Sequence, residues 1–128
     1  MANRTGSCHC GKVTFEFSNP VRRALECNCS ICSRKGAVWH ATDTEHFRIL
    51  SGQGELRFYQ FGTRTAKHWF CATCGISTFS NPRLAPDKWV VNLRCVEGID
   101  LASLEVGHFD GRNWEQAAQA LLKARGAT

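Results

Sequence analysis

Hydrophobic positions along the chain alternate in short runs. In Lys12–Phe17 the side chains of Val13, Phe15 and Phe17 fall on one face and Thr14 and Glu16 on the other, the period-two pattern of a half-buried strand. Similar runs at Ala37–Thr42, Phe47–Leu50, Glu55–Phe61, Ala66–Phe70, Ser77–Ser80, Trp89–Arg94 and Leu104–Gly107 predict further strands, most of them rich in β-branched or aromatic residues. The turn signals between them are short, as at Ser51-Gly-Gln-Gly54 and Asn81-Pro82, which predicts sequential antiparallel pairing. The period changes near the end. Trp114, Ala117, Ala118, Leu121 and Leu122 recur at helical spacing behind Asn113, a candidate N-cap, with Gly126 as a stop. The pattern is that of a mainly β domain closed by one C-terminal helix, and no linker or repeat divides residues 1–128 into more than one domain.

Composition narrows the class. With 43% hydrophobic and 21% charged residues, the chain is neither disordered by composition nor apolar enough for a bilayer. Its start, Met1 to Cys8, lacks the apolar core of a signal peptide, so a cytoplasmic setting without a membrane is expected. A formal charge of +5 favours an anionic ligand, but the charge is spread out and forms no concentrated basic tract. The eight phenylalanines and four tryptophans are expected in the core.

The eight cysteines change the picture most, because they fall in clusters. A disulfide framework and metal sites compete as explanations. A reducing compartment and neighbours as close as Cys8 and Cys10, or Cys27 and Cys29, favour metal. Cys8-His-Cys10 and Cys71-Ala-Thr-Cys74 together supply the four thiolates of a closed tetrahedral structural zinc site, and Gly11 and Gly75 follow the two pairs directly. Cys27-Asn-Cys29-Ser-Ile-Cys32 supplies three thiolates and leaves a fourth position, the pattern of a reactive zinc. That position is filled by water, by substrate, or by a residue from elsewhere: Cys95, His9, His40, His46, His68 and His108 are the candidates, with His40 foremost. Cys95, which alternates with Val91 and Leu93, also reads as a buried core thiol.

In the residues Gly6-Ser-Cys8-His-Cys10-Gly11, Cys27-Asn-Cys29-Ser-Ile-Cys32 and Phe70-Cys71-Ala-Thr-Cys74-Gly75, the chain resembles the glutathione-dependent formaldehyde-activating enzyme family, which also includes the centromere protein V domain. The resemblance runs from about Gly6 to Glu115. It implies a zinc-bearing β-tent of folded-over antiparallel sheets, two Zn2+ ions, and glutathione as co-substrate. Cys8, Cys10, Cys71 and Cys74 match the family's structural ligands, Cys27, Cys29 and Cys32 match its catalytic-zinc ligands, and Cys95 matches neither set.

An ion held by three thiolates is a weak Lewis acid, because ligand charge exceeds metal charge, so its natural partner is a substrate thiol held as thiolate. The expected activity is that of a zinc-dependent carbon-sulfur lyase joining glutathione and formaldehyde into S-hydroxymethylglutathione or a related adduct. A bound thiolate adds negative charge, and Arg22, Arg23, Arg34 and Lys35 flank the triplet as candidate counter-charges; Arg34 and Lys35 are the candidates for binding glutathione. The competing reading is a non-enzymatic zinc module that binds protein or nucleic acid. Against it, the cysteines form neither a compact two-pair ribbon nor a Cys-Cys-His-His finger, and no basic reading helix is visible.

Overall fold

In the computed structural model, residues 3–126 are described. The chain is mainly β, and among the described residues ten strands form two sheets. Strands β1 (Arg4–Ser7), β2 (Thr14–Phe17) and β5 (Phe47–Ser51) make a three-stranded antiparallel sheet. The other seven are β3 (Arg23–Cys27), β4 (Trp39–Thr42), β6 (Leu56–Tyr59), β7 (Lys67–Cys71), β8 (Phe79–Asn81), β9 (Trp89–Asn92) and β10 (Glu105–Phe109). They lie in the order β10-β3-β4-β9-β8-β7-β6. A six-residue helix, α1 (Ser30–Lys35), follows β3, and α2 (Trp114–Gly126) ends the described chain.

The core lies between the two sheets. Val13, Phe15 and Phe17 are fully buried, as their alternation requires. Phe15 meets Phe79 edge to face at 5.5 Å, Phe47 stacks on Trp89 at 4.6 Å, and Phe17 packs on His40 at 5.1 Å. The C-terminal helix is present as the 3.6-residue spacing predicts, but it lies lightly on the domain: Ala118 is its one buried residue among those whose side chains are described. Asn113 closes a 3-10 turn before the helix, and its side-chain amide donates to Asp110 Oδ2. No helix among the described residues is long and apolar enough to cross a membrane.

Two features depart from a sequential antiparallel arrangement. The stretch β6-β7-β8-β9 is such a meander, but β4 pairs with β9 and β10 lies parallel to β3, with Val106 opposite the buried Ala24. The free edge of β3 is thus filled from the far end of the chain. The run Trp89–Arg94 also stops early: the side-chain oxygen of Asn92 accepts the N–H of Arg94 and of Val38, which turns Leu93–Cys95 into a 3-10 turn.

Candidate metal centres and their clefts

The first cysteine cluster is built by two loops that close alike. The N–H of Cys8 donates to Val13 O and that of Cys71 to Ile76 O, each at 3.0 Å, while Gly11 N–H returns to Cys8 O and Gly75 N–H to Cys71 O. Both glycines have left-handed φ, +83° and +79°, which a side chain would oppose. The loops bring together residues 61 positions apart: Cys10 Sγ lies 3.7 Å from Cys71 Sγ and 3.6 Å from Cys8 Sγ. All four sulfurs, of Cys8, Cys10, Cys71 and Cys74, lie within 4.8 Å of one another. A tetrahedral ion with metal–sulfur bonds of about 2.3 Å needs sulfur–sulfur edges of about 3.8 Å, so the donor set fits zinc. The N–H of Val13 donates to Cys8 Sγ, the backbone support such ligands use.

Charge is shared unevenly among these sulfurs. Burial opposes ionisation of Cys74, but N–H groups of Cys10 and Ile76 and the neighbouring thiols outweigh it and bring Cys74 down to about 6. Cys10 goes the other way: despite the N–H of Lys12, burial and the three other sulfurs push it up to about 11. A cation at the centre relieves that mutual opposition.

The second cluster sits where β3 runs into α1. Cys27 ends the strand, Cys29 is the N-cap of the helix and accepts the N–H of Cys32 at 3.4 Å, and Gly36 ends it in the left-handed region. The sulfurs of Cys27, Cys29 and Cys32 lie within 4.8 Å of one another. Hydrogen bonds from Cys27 and Cys32, then N–H groups of Cys32 and Ile31, hold Cys29 down to about 2, while Cys27 and Cys32 are pushed up by their neighbours. Among the described residues no histidine, aspartate, glutamate or further cysteine joins the three sulfurs at that range.

Strand alternation carries this cluster to the face of the large sheet that is turned away from the core. The registers Leu25↔Trp39, Trp39↔Asn92, Ser80↔Val90, His68↔Ser80 and Tyr59↔His68 place Cys27, Trp39, Asn92, Ser80, His68 and Tyr59 on the face opposite the core. Two clefts flank helix α1. One, of about 460 Å³, is lined by Cys27 and Cys32 with Glu26, Ser33, His108 and Asp110. The other, of about 280 Å³, is lined by Ile31, Lys35, Tyr59, His68, Ser77 and Asn92 among others.

Of the four flanking cations, only Lys35 is drawn in. Its Nζ donates to Ser77 Oγ at 3.0 Å and lies 5.5 Å from the centre of the Trp39 ring. Burial lowers its pKa, and the charges of Cys32 and Cys29 partly restore it. Arg22, Arg23 and Arg34 are exposed, and Arg34 donates to Ser30 O of its own helix.

The histidines offered as a fourth ligand go elsewhere. His40 is 6% exposed and faces the core beside Phe17, because its place on β4 points it between the sheets. His9 is exposed, His46 bonds to Asp43 on an exposed turn, and His108 pairs with Glu26 at the rim of the larger cleft. His68 lines the smaller cleft, where burial, then Lys35, lowers it to about 4, and its Nδ1 is buried without a partner. Cys95 is half-buried outside both clusters, pushed up to about 11 by burial, with its thiol directed at Ser77 O. Sequence reasoning missed Asn28, Gly111 and Tyr59 as neighbours of the site; the turn signal Asp110-Gly111 was the visible trace of one of them.

This mainly β scaffold, with a four-cysteine cluster and a three-cysteine cluster beside open clefts, has a family. The model of the glutathione-dependent formaldehyde-activating enzyme matches residues 3–112, and the chain belongs to that family. It is also similar to the crystal structure of a Rhodobacter sphaeroides protein, a Northeast Structural Genomics target. That chain is 43% identical, and the match covers 81% of this chain and 98% of the other at a TM-score of 0.75.

Proposed function

We propose that this single-domain protein is a zinc-dependent carbon-sulfur lyase that makes or cleaves S-hydroxymethylglutathione or a closely related glutathione adduct. The observation that carries this reading is the convergence of Cys27, Cys29 and Cys32, without a fourth ligand among the described residues, with Cys27 and Cys32 on the wall of an open cleft. Cys8, Cys10, Cys71 and Cys74 hold the structural ion, and Cys27, Cys29 and Cys32 hold the second. Zinc bound by the triplet supplies a position where a substrate thiol is kept as a nucleophilic thiolate at neutral pH.

In the synthetic direction the glutathione sulfur bonds to the formaldehyde carbon, the carbonyl π pair moves to oxygen, and the oxygen takes up one proton. The reverse step returns that proton and breaks the same carbon–sulfur bond. The protein's part is to set charge and orientation. Lys35, one helical turn beyond Cys32, offsets the negative charge that a fourth thiolate adds. His68 is neutral at physiological pH and offers hydrogen bonding to a polar group of the adduct without adding charge. Glu26 and Asp110 on the wall of the larger cleft suit the ammonium of the γ-glutamyl end.

The test is adduct exchange. With zinc-replete protein, glutathione and formaldehyde, exchange followed by NMR runs faster than in a protein-free control. A rate equal to the control, with both sites loaded, overturns the reading.

A further inference from the structure

A six-residue turn does not by itself aim three sulfurs at one point, because its backbone keeps freedom that must be removed before they converge. The segment Phe109–Arg112, more than 80 positions away, removes it. The parallel register of β10 on β3 sets Phe109 opposite Cys27. Asn28, between the first two cysteines, then uses all four of its polar groups on that segment. Its N–H donates to Phe109 O at 3.2 Å and its side-chain amide to Asp110 Oδ1 at 2.9 Å. Its side-chain oxygen accepts the N–H of Arg112 at 3.1 Å, and its carbonyl accepts Arg112 Nε at 2.9 Å.

Gly111 brings the backbone itself against the cluster. A Cβ there would lie 2.6 Å from Cys27 Sγ, 2.7 Å from Cys29 Cβ and 3.2 Å from Cys29 N. No side chain fits without moving a sulfur or the turn that carries it. We propose that Phe109–Arg112 is the positioning element of the second metal centre, with Asn28 and Gly111 as its points of contact. The proposal rests on the reading of Cys27, Cys29 and Cys32 as metal ligands. Like other groups that orient ligands without touching the ion, the segment sets affinity through the geometry of the sulfurs.

The experiment compares wild type, Gly111→Ala, Asn28→Ala and Gly54→Ala. Gly54 serves as the control, because a Cβ there would meet nothing within 4 Å. Metal content, competitive chelator titration with zinc, and the thiolate-to-cobalt band of cobalt-substituted protein read each site, and circular dichroism reads the fold. Expected is wild-type behaviour for Gly54→Ala. Gly111→Ala and Asn28→Ala keep the fold and the first ion but bind the second at least about tenfold more weakly, with an altered cobalt band. Wild-type affinity and band in both variants overturn the proposal. So does loss of the fold or of both ions together in both variants, which would make the segment general scaffold. A wild-type protein that never binds more than one ion overturns the metal reading of the triplet itself.

Discussion

A lysine three positions beyond a cysteine on a helix lies close to it, since side chains three apart are neighbours. Cys32 and Lys35 stand in that relation, and the ammonium is fixed by Ser77 Oγ, which itself donates to Trp69 O. The spacing was in the sequence; what was not is that Arg34, the adjacent cation, turns to its own helix and out to solvent. His68 was less legible still, because its meaning comes from Ser80 opposite it and from α1 across the cleft. Lys35→Met is expected to keep both metal ions and to raise the KM for the glutathione adduct about tenfold, the scale of one charge-assisted contact. A pH signature follows from its burial. A lysine with lowered pKa loses its charge as pH rises through that value, so the wild-type KM climbs earlier than an ordinary lysine would dictate, and the Lys35→Met profile is flat there. An unchanged KM and an unchanged pH profile in the variant would remove Lys35 from the site.

At the scale of elements, the strands that were legible are those with strong alternation, such as β2, whose Phe15 and Phe17 are buried. Strand β1, Arg-Thr-Gly-Ser, has no apolar alternation and buries only Gly6. Strand β3, Arg-Ala-Leu-Glu-Cys, carries good helix formers and is extended because β4 and β10 pair with it on either side. Pairing partners so distant in sequence leave no local trace, and the seat of the second cluster depends on them. Helix α2 shows the opposite case, a clear periodicity with little packed against it. It is tied down mainly at its start, where the Arg83 guanidinium lies 3.8 Å from the centre of the Trp114 ring. The family match ends at residue 112, before this helix. Trp114→Ala is therefore expected to lower the melting temperature by a few degrees, the effect of about 1 kcal/mol in a domain of this size, and to leave metal content unchanged. Loss of either ion in that variant would show that the helix supports the sites.

For the molecule as a whole, the two clusters differ in what they join. Cys8 and Cys71 are 3% and 0% exposed and belong to the hydrophobic core; with Cys10 and Cys74 they connect the loop after β1, in the small sheet, to the end of β7, in the large one. A structural zinc contributes about 10–16 kcal/mol of apparent binding free energy to folding. A domain of this size is stable by only about 5–15 kcal/mol in total. With a structural zinc there, as proposed, its removal would cancel most or all of the stability and leave four crowded thiols, two of them buried, at the junction of the sheets. The second cluster closes a short turn where β3 runs into α1, so its loss frees little of the chain. Cys74→Ser is accordingly expected to unfold or aggregate, and a strong chelator is expected to abolish the cooperative melt of the wild type. Cys29→Ser is expected to stay folded with one ion and to lose adduct exchange. Circular dichroism melts and metal content of the two variants decide it: a folded Cys74→Ser protein, or a Cys29→Ser protein that collapses with it, would reverse the assignment of the two centres.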